Sequence, residues 1–113
     1  MGFMRRPRKV HIDLFGITYI LCLNWPTADF CKWYSKKYNH PIHTTGEQAL
    51  TVPHLEESEI VIWNGTKSTT NLVHECTHAA NYTLHHIGHK ADFENDEVQA
   101  HLIDWIFNKA KGG

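Results

Sequence analysis

The sequence predicts an α+β domain, a small and mostly antiparallel sheet packed on three helices. Three observations predict it. Runs rich in β-branched and aromatic residues fill positions 9–23 and return at 58–63. Helical periodicity takes over from residue 70 onward. Gly, Pro and Asn mark the boundaries between these stretches. With 113 residues, 42% apolar and 20% charged, residues 1–113 form one globular domain rather than two or a disordered chain.

Each element has a local reason. Residues 9–15 (KVHIDLF) and 17–23 (ITYILCL) are strand-like and flank Gly16, so they predict two strands that can form a hairpin. Pro26, acceptable in a first helical turn, opens a helix that runs to about Tyr38. Residues 39–46 (NHPIHTTG) are turn-rich. Residues 48–52 predict a short strand, and residues 58–63 (SEIVIW) a stronger one ending at the Asn64-Gly65 turn signal. Residues 70–87 predict a helix stopped by Gly88. Asp92 is expected to cap a last helix ending near Lys109.

Charge and composition exclude several roles. The net charge is −1, so nothing in the balance favours a nucleic-acid partner. The one basic cluster, Arg5, Arg6, Arg8 and Lys9, reads as a mobile N-terminal segment over residues 1–8. No apolar run reaches the roughly 18–20 residues of a membrane span, and the N-terminus lacks the apolar core of a signal peptide. The expected location is therefore cytoplasmic. Three cysteines, Cys22, Cys31 and Cys76, cannot all pair within the chain, which predicts free thiols.

The unusual number is 10 histidines. Two of them fall in His74-Glu75-Cys76-Thr77-His78. On a helix, positions four apart share a face, so His74 and His78 can bind one Zn²⁺. Glu75, turned by ~100°, can act as general base on a zinc-activated water. A shuffled chain of this composition gives such a motif about 0.05 times, so its context matters.

The context is amphipathic. With His74 at zero, Leu72, Val73, Cys76, Ala79, Ala80, Leu84 and Ile87 gather on one side. His74, His78, Asn81 and His85 gather opposite. The competing reading is a solvated face with accidental histidines. Cys76, on the apolar side, reads as a small core residue.

A zinc site needs a third protein ligand. Eighteen residues separate His78 from Glu97, enough for one helix to end and another to return. On that second helix Glu97, His101, Asp104 and Asn108 form a polar stripe, while Val98, Leu102, Ile103, Trp105, Ile106 and Phe107 cover the rest. Glu97 is the expected ligand and His101 its rival, with a plain solvent stripe as the alternative.

His-Glu-x-x-His followed by this Glu resembles the gluzincin metallopeptidases. The sequence is also similar to small single-domain metallopeptidases of phages and bacteria, which carry an Asn-Asp-Glu-x-x-Ala element like residues 95–100. The resemblance covers about residues 58–108. It implies a minimal zincin-like fold holding one Zn²⁺ per chain, with ligands His74, His78 and Glu97 and general base Glu75. It also implies a peptide or protein substrate paired to the edge strand before the metal helix, here Glu59, Ile60, Val61, Ile62 and Trp63.

The implied activity is hydrolysis of peptide bonds. The alternative is a non-catalytic, zinc-stabilised interaction module, such as a phage or mobile-element protein that binds a host partner. His101, Asp104 and Tyr82 are candidates for orienting the ligands or stabilising the oxyanion. The larger gluzincins often carry an Asp where this chain has His101, and their second domain has no expected counterpart in residues 1–113. His40, His43 and His54 lie in loops that can fold over the site, and His85, His86 and His89 form a second cluster. Trp25, Trp33, Trp63 and Trp105 are expected in the core.

Overall fold

The computed structural model describes residues 5–42, 44–89 and 96–112. It is α+β, with one four-stranded sheet and three helices. The strands are β1 (Arg8–Ile12), β2 (Ile17–Leu23), β3 (Ala49–His54) and β4 (Glu59–Asn64). The helices are α1 (Thr27–Tyr38), α2 (Thr69–His86) and α3 (Glu97–Gly112). Asp92, the expected cap of the last helix, lies outside the described residues.

The sheet order is β1-β2-β4-β3. β1 and β3 each run antiparallel to their inner neighbour, whereas β2 and β4 are parallel. The parallel pair explains why β2 and β4 read as unbroken apolar runs: both of their faces are covered. Ile17, Tyr19 and Leu21, with Ile60 and Ile62, point toward α2 and α3. Ile20 and Cys22, with Val61 and Trp63, point toward α1.

The α1 layer is aromatic. Phe30 stacks on Trp63 with ring centres 4.7 Å apart and nearly parallel planes, and Trp25 meets Trp33 edge-on. The Trp63 indole N–H donates to the Trp25 carbonyl at 2.9 Å. Gly65 is required beside it, because a Cβ there would lie 2.8 Å from the Trp63 ring. Trp25 and Trp63 are buried, while Trp33 and Trp105 are half-buried against the two core clusters.

Two expectations are corrected. Residues 5–8 are not a loose tail, because Arg8 starts β1 and donates to the carbonyls of Lys109 and Ala110 at the end of α3. Its guanidinium caps helix carbonyls that lack intrahelical partners. Arg5 also pairs with Asp29 at 2.7 Å. The second correction concerns β4. It is an interior strand, hydrogen-bonded on both sides, so Glu59, Ile60, Val61, Ile62 and Trp63 offer no free edge.

Among the described residues, no helix is long and apolar enough to cross a membrane. Cys22, Cys31 and Cys76 are free thiols.

Candidate metal centre

The site is built on α2, whose start is fixed to the end of β4. The Ser68 hydroxyl caps the helix by accepting from the Asn71 N–H at 3.1 Å. The Asn64 amide donates to the Ser68 carbonyl, and its oxygen accepts from the Thr66 N–H and hydroxyl. Small residues then let the helix lie close to the sheet. Cys76, Ala79, Ala80 and Thr83 are fully buried, and the Thr83 hydroxyl shares a 2.7 Å hydrogen bond with the Tyr19 hydroxyl. Burial pushes the Tyr19 phenol and the Cys76 thiol each up to about 12, and Cys76 lies in the core cluster between α2 and the sheet.

That seating turns His74 and His78 outward, where both are exposed. Their Nε2 atoms lie 3.1 Å apart, with ring centres 4.6 Å apart and planes at 84°. Two nitrogens on a tetrahedral zinc, each at 2.0–2.1 Å, are about 3.3 Å apart. The separation of the pair, a hydrogen bond between the two rings here, is close to that spacing.

Glu75 lies on the flank of α2 that faces β3, and it is only 6% exposed. The Thr51 hydroxyl lies 2.7 Å from Glu75 Oε1 and 3.0 Å from the Glu75 carbonyl oxygen, so it can donate to either. Thr51 is a site residue that the sequence reading missed. No local pattern links positions 24 apart, although Pro53 beside it was a usable signal for an edge strand.

α3 returns beside α2 and joins it through the Gln99 amide, which donates to Asn81 one turn past His78. The face of α3 that meets the core carries Leu102, Ile106 and Ala110. Glu97, His101 and Asp104 lie on the other side of this helix, exposed to solvent. The side chains of Glu97 and His101 are 83% and 80% exposed and face each other at 3.5 Å. The structure thus brings His74 and His78 together on the outer face of α2, holds the Glu75 side chain against Thr51 of β3, and leaves Glu97 exposed beside His101. Among the described residues, no group of three His, Cys, Asp or Glu side chains is placed to hold one metal ion.

The remaining candidates also resolve by position. Tyr82 is half-buried and packs against the core cluster beneath α2. His54 sits on the α1 side of the sheet, away from α2. Its Nε2 is 2.7 Å from the Tyr34 hydroxyl and its ring stacks on Tyr38 at 3.7 Å. It cannot close over His74. His40 is exposed, and His43 lies outside the described residues. His85 and His86 are exposed in the last turn of α2, where a polar helix end suits them.

Among the described residues, the strand beside the site, β3, is a sheet edge. Gly65 N–H donates to the Gln48 carbonyl at 2.8 Å, which makes these two a hydrogen-bonded antiparallel pair. Continuing the register, Leu50, Val52 and His54 bond inward to β4. The backbone groups of Ala49, Thr51 and Pro53 therefore face the open edge. Pro53, which has no N–H, occupies a position where none is needed.

Comparisons with protein-family models, with curated proteins and with solved structures find no match to this chain.

Proposed function

We propose that this chain is a metal-dependent hydrolase of peptide bonds, with zinc held by His74 and His78 and with Glu75 as general base. The observation that carries the reading is the 3.1 Å approach of two imidazole nitrogens one turn apart on α2, with the buried Glu75 next to His74 in the chain. When bound, zinc supplies Lewis acidity and makes water a competent acid near neutral pH.

The chain's own residues do the rest. Glu75 takes a proton from the attacking water and returns it to the leaving amine. The Thr51 hydroxyl holds Glu75 Oε1, so Oε2 is the oxygen left for proton transfer. An extended peptide adds to β3, using the outward N–H and C=O groups of Ala49 and Thr51. β3 takes the docking role that the sequence had suggested for residues 59–63.

A second reading is favoured by one specific observation. Catalytic zinc sites have three protein ligands, and only two converge among the described residues. An interaction module needs neither a zinc-bound water nor a general base, so the missing catalytic ligand counts only against hydrolysis; its zinc would take the remaining ligands from the partner, since structural zinc has four.

One experiment separates the two. Zinc is titrated into the metal-free chain, and a quenched-peptide library is then offered to the loaded protein and to Glu75→Gln. The hydrolase reading expects one bound zinc in both and cleavage by wild type alone. Zinc binding without cleavage favours the interaction module, and a wild type that binds no zinc overturns both.

A further inference from the structure

We propose that the crevice at the C-terminal ends of β2 and β4 binds a small phosphate monoester, held by the ammonium groups of Lys67 and Lys111. The first observation is the crevice itself. β2 and β4 are parallel neighbours, yet β2 leads into α1 on one face of the sheet and β4 into α2 on the other. Adjacent parallel strands whose connections leave on opposite faces form a topological switch point, where open α/β sheets bind their ligands. Beyond Leu23 and Asn64 the two chains part, and a cavity of about 220 Å³ lies there, closed on one side by the end of α3. That volume is below the roughly 300–1,000 Å³ of drug-sized pockets, so the ligand is small.

The second observation is the lining. Lys67 follows β4 and Lys111 sits in the last turn of α3, and both border the cavity with Thr66 and Thr69, while no Asp or Glu does. Neither lysine has a carboxylate partner among the described residues. Lys111 Nζ lies 5.7 Å from the centre of the Phe107 ring, on a stem flexible enough to swing into the cavity. A phosphate monoester carries roughly −1.5 to −2 charge near pH 7 and three acceptor oxygens, which suits two ammonium groups beside hydroxyl donors. Leu23, Leu72 and Ala110 supply an apolar wall for a compact organic group on the ester.

The third observation is the charge of this end of the molecule. The start of β1 brings Arg6 and Lys9, and α3 brings Lys109. The acids here are engaged, Asp29 with Arg5 and Glu47 with Thr45. The last carbonyls of α3 would repel an anion, but the Arg8 guanidinium covers those of Lys109 and Ala110. Asp13, Glu57, Glu59 and Glu97 stand at the opposite end of the sheet and helices, so the field of the whole chain draws an anion to the crevice. The site is separate from the histidine pair. Leu72 lines the cavity, and His74, two residues on, is turned by ~200° around α2.

The test titrates phenyl phosphate into the full, metal-free chain and follows the amide proton–nitrogen NMR spectrum, with inorganic phosphate and phenol at matched ionic strength as comparisons. Phenyl phosphate should give saturable shifts confined to the cavity residues and bind at least about threefold tighter than either comparison. Lys67→Gln and Lys111→Gln should each weaken it about tenfold, whereas Lys32→Gln on the exposed side of α1 should not. Thr69→Trp, which blocks the mouth and keeps both lysines, should abolish it.

Full binding by Thr69→Trp, or an equal loss in Lys32→Gln, overturns the site in favour of loose ion condensation on a basic surface. Inorganic phosphate or phenol binding as tightly as phenyl phosphate overturns the ester, and the absence of saturable shifts overturns the proposal outright. If Thr69→Trp does not fold, the wild-type shifts decide: spread to Arg6, Lys9 and Lys109, they reject the crevice.

Discussion

The Nε2 atoms of His74 and His78 meet at 3.1 Å on the outer face of α2, although neither ring is buried or held by any other residue described. Helical spacing brings their backbones one turn apart, and the approach of the two Nε2 atoms is what makes them a candidate pair. Since both are exposed, replacing either should leave the metal-free fold intact. We expect His74→Ala and His78→Ala each to change metal-free stability by no more than about 0.5 kcal/mol. Each should also weaken zinc binding at least about 100-fold, read by calorimetric titration. Undiminished binding by both variants would dismiss the site.

Glu97 gives a sharper expectation. Its carboxylate faces His101 on the solvent side of α3, turned away from the helix face that packs on the core. Glu97→Ala should therefore keep zinc affinity within about threefold, a change of under ~0.7 kcal/mol. A loss of 100-fold or more would mean that the first turn of α3 rearranges when metal binds and that Glu97 is a ligand after all.

Proline substitution distinguishes the interior strand from the edge. Val61 pairs with Val52 in the hydrogen-bonded register of β4 and β3, and its side chain is fully buried under α1. Val61→Pro should cost ~3 kcal/mol or more and unfold much of the chain at room temperature. Ala49→Pro removes only an outward N–H, so it should stay folded and lose peptide docking. Chemical denaturation of both variants is the check, and equal destabilisation would contradict the strand order.

Stability should also depend on pH through His54. Burial is the main cause that lowers its pKa from 6.5; Glu57 and Glu59 oppose that shift, while His40 and Lys37 add to it. Tyr34 and Tyr38 from α1 complete its surroundings. A histidine whose folded pKa is depressed holds its proton better in the unfolded chain. Its contribution is therefore complete above about pH 6.5 and is lost as pH falls through the folded value. Melting temperature should drop between about pH 7.5 and about 5.5, and His54→Gln should reduce that slope. An identical slope in the variant would exclude His54 as the source.

Much of the fold was legible because it depends on local chemistry. The runs at 17–23 and 58–63 are strands since β-branched and aromatic residues suit an extended backbone, and they were located within one residue of their observed ends. The His-Glu-x-x-His stretch predicted one helix with both histidines outward, and α2 has that arrangement. The polar stripe of α3 was equally visible. Which way it faced was not, because a stripe of Glu97, His101 and Asp104 suits water and a metal cleft equally well by periodicity.

By itself, the sequence determined the α+β class, the number and kind of elements, and the side of α2 that carries His74 and His78. Those follow from hydrophobic period and helix geometry, which act over a few residues. Only the tertiary structure decided the order of the strands. It set β4 inside the sheet and β3 at its edge, and it brought Thr51 to Glu75 across 24 residues of chain. The same packing sent Glu97 to the solvent side of α3. The physical reason is that strand pairing and helix docking are fixed by contacts between residues far apart in sequence, where the whole core must be buried at once. No single segment carries that information.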